Sequence, residues 1–395
     1  MDNRELQTEH CLSSSSSMDS EYQSDLCFPE LGNISCRKHT SDGSPGFLFR
    51  FFLSVACVLS VLLNLLVIIS ISHFRHILHF CSEPRIGCLL LVAWKVYLIT
   101  CCLRYQLFYV CVFLFCRQLY TPTNLLLLSL AISDVLVGLA GMPLIIIVST
   151  SCWFFGHMAC SLWNYLIFIC QSASVGNMVL ISADRFLGIC YPLHYTVQVT
   201  VKKIQLCVCL CWTASVIHCG IILKDNFVHA EMYTACLGEC VIGFDFIGGI
   251  LDIIVNFLLP LSIIVTLNMR VFTVVVYQVR AARSHIKCVQ LKHSAPFRAK
   301  KSELKAAKTL GVLVLVFLLC FCPFYIVVLL SYNVNVNSVL KYFYYLYNLN
   351  SFLNPWIYVA FYPWFRRAMK HIVTLHILQP GSCDTDILKT KRAHI

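Results

Sequence analysis

The sequence predicts an all-α membrane protein: a seven-transmembrane helix bundle followed by an amphipathic helix on the membrane surface. Of its 395 residues, 58% are hydrophobic and only 12% are charged, and the mean hydropathy is +0.75. Soluble domains carry about 25% charged residues. This chain therefore has more apolar surface than a water-soluble core can bury. The sequence also contains a series of apolar runs, each approaching the ~20 residues that a bilayer crossing requires.

Seven such runs set the predicted organisation. They lie at about 51–72, 123–149, 159–183, 204–223, 244–268, 309–332 and 339–361. Lys and Arg concentrate at 202–203, 270–308 and 366–370, and cytoplasmic loops are enriched in these residues. We therefore expect a multi-pass plasma-membrane protein with its N-terminus outside and its C-terminus inside. The predicted parts are an extracellular tail (1–46), the seven-span domain (47–361), the amphipathic helix (362–372) and a cytoplasmic tail (373–395).

Composition also argues against several classes of function. The net charge of +11 falls mostly on the predicted inner face, which favours anionic lipid and a cytosolic partner over nucleic acid. The 24 cysteines show no zinc-type spacing, so we expect no metal site. Ser, His and Asp form no catalytic grouping, so we expect no enzyme. The sequon at Asn33 is a candidate glycosylation site if the N-terminus is outside.

The stretch at 76–117 does not fit the seven-span pattern. Its apolar run at 86–116 contains Lys95 and Arg104, and one added span would turn the later basic loops outward. Two crossings would need about 40 apolar residues. We therefore hypothesise that most of 76–117 is translated intron, since it is rich in residues with T-rich codons. The alternatives are an interfacial segment or a genuine insertion that forms a re-entrant hairpin.

Several motifs occur together outside that stretch. "SADRFLGICYPLHY" ends the third span, "LSLAISD" places Asp134 within the second, and "CPF" places Pro323 in the sixth. "NSFLNPWIYVAFYPWFRRAMK" covers the seventh span and the start of the C-terminal segment. Together these motifs resemble rhodopsin-like G-protein-coupled receptors. The C-terminal motif, "KAAKTLGVLVLVF" and "CLGEC" also resemble the trace amine-associated receptors.

The resemblance implies a sensor of small amines, in most members olfactory, that signals through a stimulatory G protein and cAMP. It also implies an internal sodium and water cluster, with no other cofactor; the alternative is polar contacts that join helices without an ion. The cluster residues would be Asp134, Ser174, Asn350, Ser351 and Asn354. The implied activation switch consists of Asp184, Arg185, Glu303, Pro323, Pro355 and Tyr358. Arg185 would pair with Asp184 and Glu303 at rest and be released to the G protein.

Two disulfides are also implied by the resemblance. Cys160 and Cys240 match the family's bridge between the third span and the second outer loop. Cys236 resembles a family cysteine that bonds to the N-terminal segment, here Cys27 or Cys36. The alternative for Cys236 is a free thiol.

The usual ammonium anchor of amine receptors is missing from this sequence. The position of the third-span Asp is Ile167, and its supporting Tyr is replaced by Asn348. Asp252, eight residues before Pro260 in the fifth span, supplies a different acid. A charge at mid-helix costs about 2.5–3.5 kcal/mol on insertion scales, which is tolerable if it meets a cation. We therefore hypothesise that Asp252 binds the ligand's ammonium and that the amine lies reversed relative to the common pose.

The other expected ligand-site residues surround Asp252. They are Asn256 on the same span and an aromatic wall formed by Phe321, Phe324 and Tyr325. With one acid, a monoamine is favoured over a diamine. The alternatives are an Asp252 that is protonated and bonded to Asn256 or another helix, and ordinary packing of the aromatics.

Three departures from the family pattern bear on coupling: Phe321 replaces a Trp, Asn268 a Tyr and Leu63 a Gly. Two other functions therefore stay open. One is a poorly coupled or non-functional product that carries 76–117. The other is a transporter, although no internal repeat is visible.

Overall fold

The structure is a computed structural model, and it describes residues 26–36, 44–73, 121–228, 236–288, 295–331, 337–361 and 363–376. The unusual stretch at 76–117 and the tail from 377 lie outside the described residues, so the intron hypothesis stays a prediction. Within the described residues the architecture is helical, as the sequence predicts.

The described residues form eight principal helices. They are α1 (Ser44–His73), α2 (Pro122–Leu136, a π turn Val137–Gly141, and Met142–Thr150), α3 (Gly156–Cys190), α4 (Val201–Ile222), α5 (Phe246–Ile253, a π turn Ile254–Leu258, and Leu259–Cys288), α6 (Ala295–Ser331), α7 (Asn337–Asn348 and Asn350–Phe361) and α8 (Pro363–Val373). Short helices at Pro192–Gln198 and Lys224–Val228 join the longer ones, and a 3-10 helix at Pro29–Ile34 lies near the start.

The first six of these helices are long and apolar enough to cross a membrane. The seventh predicted span is α7, which breaks at Leu349 into two halves of 12 residues each. Large apolar side chains such as Phe51, Phe52 and Leu258 are exposed on the outside of the bundle. A lipid environment accommodates such a surface, because the helices satisfy their own backbone polar groups. The predicted fold class is confirmed.

Helix α3 lies at the centre of the bundle, packed against α2, α4 and α5. Its buried positions include Ala173, Val175 and Met178, each at most 1% exposed. The small residues on α3 allow a close approach by α4, because a side chain at Gly176 would collide with the sulfur of Cys211. Side chains on α3 can therefore contact side chains on α2, α4 and α5.

Both π turns precede a proline, Pro143 in α2 and Pro260 in α5. Proline has no N–H to donate, and its ring crowds the carbonyl of the previous turn. The wider π turn absorbs that crowding and rotates the residues before it. In α5 the residues before the turn include Asp252.

Three disulfides occur among the described residues, and they join the N-terminal segment, the loop after α2, the start of α3 and the segment before α5. They are Cys160–Cys240, Cys36–Cys236 and Cys27–Cys152. The N-terminal partner of Cys236 is thus Cys36, whereas Cys27 bonds to the loop after α2. The Cys27–Cys152 bridge is absent from the sequence prediction. Asn33 belongs to the 3-10 helix, and its side chain lies outside the described residues.

These disulfides hold the N-terminal segment against the segment that precedes α5. Ser35 and Leu237 form a parallel β-bridge. The backbone N–H of Trp153 donates to the carbonyl of Gly238 at 2.8 Å. Gly238 has a φ of 103°, and a Cβ there would lie 2.8 Å from the Cβ of Cys27. Only glycine fits this position without strain.

Helix α8 packs against α1 and the second half of α7. Phe365 and Ala368 are fully buried, whereas Arg366 is exposed and donates to the carbonyls of Val359 and Ala360 at 2.8 and 2.9 Å. Its observed bounds, Pro363–Val373, agree within one residue with the predicted 362–372. The side chains of Phe361 and Trp364 lie outside the description. The division into an apolar and a basic face follows the sequence pattern.

Replacement of Gly238 by Ala is expected to lower the free energy of unfolding by about 1–3 kcal/mol, since it combines backbone strain with a clash against Cys27. The measurement is the melting temperature of the purified protein in nanodiscs. Gly311→Ala is the matched control, because a Cβ there meets no atom within 4 Å and Ala favours the helix. Equal melting temperatures for the two variants would contradict the described outer loop.

Candidate ligand-binding site

Asp252 lies in the first segment of α5, two residues before the π turn, and is 6% exposed. Its Oδ1 accepts a hydrogen bond from the Asn256 amide at 2.7 Å, and its Oδ2 accepts one from the Tyr325 hydroxyl at 3.3 Å. The Nε2 of His218 lies 3.4 Å from Oδ1. The carboxylate therefore meets side chains from α4, α5 and α6.

Asn256 extends this network to the centre of the bundle. Its Oδ1 accepts a hydrogen bond from the Ser172 hydroxyl of α3 at 2.8 Å. Ser172, Asn256 and Asp252 thus form a continuous chain of polar groups within an apolar bundle. Each member is less than 9% exposed, so the groups must satisfy one another or a bound polar molecule.

The predicted aromatic residues lie together beside Asp252. Tyr325 stacks on Phe257 at a centroid distance of 4.9 Å, and Phe324 contacts Tyr347 at 4.8 Å. Phe321 stacks on Phe317 at 4.4 Å and meets Tyr347 edge-on at 4.7 Å. Phe321 and Tyr325 are at most 1% exposed, so their rings pack as a layer between α5, α6 and α7.

Ile167 and Asn348 belong to another part of the outer bundle. Ile167 packs with Leu144 and Trp153, beside the Cys160–Cys240 disulfide. The Asn348 side chain donates to the carbonyl of Tyr344 at 2.7 Å and accepts from Gln171 at 3.0 Å. This part of the bundle thus presents an apolar side chain and a neutral amide pair rather than an acid.

The predicted cluster around Asp134 is also assembled in the structure. The carboxylate accepts from Ser174 at 3.1 Å and from Asn354 at 2.9 Å. Asn350 and Ser351 are fully buried nearby on α7. Both side-chain polar atoms of Asn350 have no hydrogen-bond partner among the described residues. An internal sodium ion with water would suit such groups, and that occupant stays a prediction.

Near the C-terminal end of α3, Asp184 accepts hydrogen bonds from three residues. Arg185 donates through Nε at 3.0 Å and also through a terminal nitrogen, Thr123 donates at 2.9 Å and Tyr195 at 2.7 Å. Burial and the neighbouring carboxylate raise the pKa of Tyr195. Arg185 also donates to Thr123. The predicted partner Glu303 is in α6, and its side chain lies outside the described residues.

The other predicted switch residues lie on α6 and α7. Pro323 and Pro355 are inside their helices, where each removes a backbone hydrogen bond. Tyr358 is 4% exposed and meets Phe365 edge-on at 6.4 Å. This contact joins the end of α7 to α8.

Four site residues are absent from the sequence prediction: His218, Ser172, Gln171 and Tyr347. His218 had a usable signal, since an ionisable residue inside a spanning segment normally has a partner. Ser172, Gln171 and Tyr347 carry no comparable signal, because such residues are common in membrane helices and which neighbour they meet depends on packing.

Comparison of the sequence with known proteins agrees with the seven-helix fold. A sequence model of the family described as "7 transmembrane receptor (rhodopsin family)" matches residues 105–358. Trace amine-associated receptor 13c of Danio rerio is 33% identical over 378 residues, which span 92% of this chain and 96% of that protein. Trace amine-associated receptor 1 of Homo sapiens is 31% identical, over 89% of this chain and 94% of its own length. Trace amine-associated receptor 4 of Mus musculus is 32% identical, over 69% of this chain and 81% of its own.

Asn256→Leu is expected to lower the free energy of unfolding by about 1–2 kcal/mol, because it leaves Asp252 and Ser172 without their shared partner. In the double variant Asp252→Leu/Asn256→Leu, the loss should be smaller than the sum of the two single losses, since the hydrogen bond between these side chains can be lost only once. Thermal unfolding of both single variants and the double variant in nanodiscs checks this. Strictly additive losses would show that the two side chains do not interact.

Proposed function

The chain belongs to the rhodopsin family of seven-transmembrane receptors, and within it to the trace amine-associated receptors; on that premise we propose that it senses small amines whose ammonium group binds Asp252. It is accordingly a receptor and not an enzyme. The relatives' names refer to trace amines, which gives the class of ligand. The residue that binds the ligand's charge must come from this chain's own side chains.

The supporting observation is the environment of the Asp252 carboxylate. Asn256 and Tyr325 donate to it as neutral groups. Among the described residues, its ion pairs include His218 and neither Lys nor Arg. A buried carboxylate is costly unless a cation compensates it. A protonated amine would supply that cation and two or three N–H donors.

The aromatic layer supports the same ligand class. An ammonium near the face of Tyr or Phe gains about 0.5–2 kcal/mol from the ring quadrupole. Tyr325 contributes both its ring and a hydroxyl that reaches Asp252. An amine with an apolar body would place its charge at Asp252 and that body among the rings.

The position of Asp252 sets the expected orientation of the bound amine and the number of ammonium groups that it carries. Ile167 offers no charge where amine receptors usually carry one, so the amine would lie reversed. Asp245, the other acid near the mouth, accepts from the Gly248 N–H at 3.1 Å and caps α5. With Asp245 engaged at the cap, Asp252 is the acid proposed for the ligand, and a single acid favours a monoamine over a diamine.

The inner face of the bundle is suited to a heterotrimeric G protein. Arg185 lies at the inner end of α3, held by Asp184, and the segment at 270–308 is rich in Lys and Arg. We propose a stimulatory G protein and a cAMP response, with the N-terminus outside the plasma membrane and glycosylated at Asn33. The three outer disulfides suit an oxidising exterior. The same proposal includes an olfactory role and an internal sodium ion. It also includes an effect of Phe321 and Asn268 on coupling to the G protein.

Asp252→Asn is expected to raise the amine concentration for half-maximal cAMP about 100-fold, because the amide keeps the shape and loses the charge that binds the ammonium. Asp252→Glu should retain part of the response. The assay is cAMP in cells that present equal amounts of receptor at the surface. The ligands are primary monoamines, including 2-phenylethylamine and isopentylamine, with the matching alcohols as uncharged comparators.

Asp225→Asn is the matched control, because it removes an acid from the outer face without any contact to Asp252. Unchanged potency in Asp252→Asn would contradict the anchor. If no amine acts on the protein with or without residues 76–117, the amine-receptor proposal fails and the product is non-functional or serves another ligand.

Tyr195→Phe is expected to raise amine-independent cAMP about two- to fivefold. The change removes the Tyr195 hydrogen bond to Asp184, which in turn holds Arg185, and so it favours the released state. Basal cAMP per surface receptor is the measurement. His194→Gln changes the neighbouring exposed side chain as a control. A basal signal below that of the parent protein would contradict the role of Asp184 as a restraint.

A further inference from the structure

His218 occupies a position that the proposed function does not use. It lies on α4, and its side chain is 13% exposed, against 9% for the Asp252 side chain. Its Nε2 is 3.4 Å from Asp252 Oδ1, the same oxygen that the Asn256 amide contacts at 2.7 Å. Most of α4 is apolar, so a titratable ring at this depth requires a polar partner.

An imidazole changes charge between pH 5 and pH 8. When His218 is neutral, the Asp252 carboxylate has hydrogen-bond donors but no cation among the described residues. When His218 is protonated, the carboxylate already has a cation beside it. A ligand's ammonium would bind the same carboxylate, so the ligand and the protonated imidazole oppose each other.

We propose that His218 is the resting counter-ion of Asp252, and that amines bind by replacing it, so that amine sensing is coupled to a proton. The inference rests on the proposed function, because it assigns Asp252 to the ammonium. It adds a second, specificity-determining residue and a regulation by pH. Lower outer pH would charge His218 and weaken amine binding, whereas higher pH would favour the amine.

The other titratable groups near His218 come from each element packed against α4. Helix α3 contributes Tyr165, whose hydroxyl donates to the carbonyl of Val216 at 3.2 Å, and Cys170. Helix α2 contributes Asp134, which is bound to Ser174 and Asn354 nearer the middle of the bundle. Helix α4 itself carries Cys219. The short outer helix carries Lys224 and Asp225. Asp252 is the acid at contact distance.

The first experiment needs no ligand. Melting temperatures are measured at pH 6 and pH 8 for the parent protein in nanodiscs, His218→Gln, Asp252→Asn and the double variant. The parent should exceed His218→Gln by about 3 °C at pH 6, and by clearly less at pH 8, because the ion pair exists only while the imidazole is charged. In the Asp252→Asn background that pH-dependent difference should disappear. His218→Asn repeats the comparison should the Gln variant fail to fold.

The second experiment measures binding of the monoamines 2-phenylethylamine and isopentylamine, whose ammonium groups stay protonated at both pH values. For the parent, the dissociation constant should rise severalfold from pH 8 to pH 6, because protonated His218 competes for the same carboxylate. His218→Gln should bind about equally at both values and more tightly than the parent at pH 6. His157→Gln, which removes another outer-side imidazole from α3, should keep the parent's dependence.

The outcomes separate this inference from the proposed function. A pH-independent stability difference between the parent and His218→Gln, or the same difference without the Asp252 charge, overturns the counter-ion role. Binding with the same pH dependence in the parent and His218→Gln overturns the competition. If the pH-dependent stability difference is absent but Asp252→Asn still weakens amine binding strongly, only the role of His218 is refuted, and the proposed function stands. If the pH-dependent stability difference is present but no amine binds, the proposed function is refuted, and His218 remains the counter-ion of Asp252.

Discussion

A carboxylate inside a bundle of membrane-spanning helices must be compensated by other groups of the protein or by a ligand, because lipid offers it no hydrogen bonds. The contacts of Asp252 satisfy this requirement with two neutral donors and one imidazole. They also fix how α4, α5 and α6 meet around the outer half of the bundle. A partly compensated charge of this kind is suited to exchange one of its partners for a cationic ligand.

The helices support this arrangement in specific ways. Helix α3 is central, and its Ser172 holds Asn256, which in turn orients the Asp252 carboxylate. The π turn at Ile254–Leu258 separates Asp252 from Pro260 and sets the direction in which α5 presents its polar residues. The aromatic layer fills the remaining space with rings that contact one another at 4.4–4.9 Å. A second buried acid, Asp134, is met by Ser174 and Asn354 in the same fashion nearer the middle.

Much of the fold could be predicted from the sequence, because spanning length and the positions of Lys and Arg are one-dimensional properties. The seven spans and the surface helix required little more than apolar runs and one amphipathic pattern. The importance of Asp252 was also predictable, since a charge in an apolar run stands out. Which residue of another helix lies opposite it was not, because that depends on the rotation and depth of α4. The pairing of His218 with Asp252 and that of Ser172 with Asn256 therefore emerge only from packing. The Cys27–Cys152 bridge was missed for a similar reason: a cysteine's partner is set by how the outer segments fold together.

The most direct measurement is an experimental structure of the protein with a bound primary monoamine, at a resolution that places the ammonium nitrogen. The account predicts that nitrogen within about 3.2 Å of an Asp252 carboxylate oxygen, with the apolar body of the ligand among Phe324, Tyr325 and Tyr347. An ammonium that lies beside Asn348 and Ile167 instead, with Asp252 still bonded to Asn256, Tyr325 and His218, would contradict it.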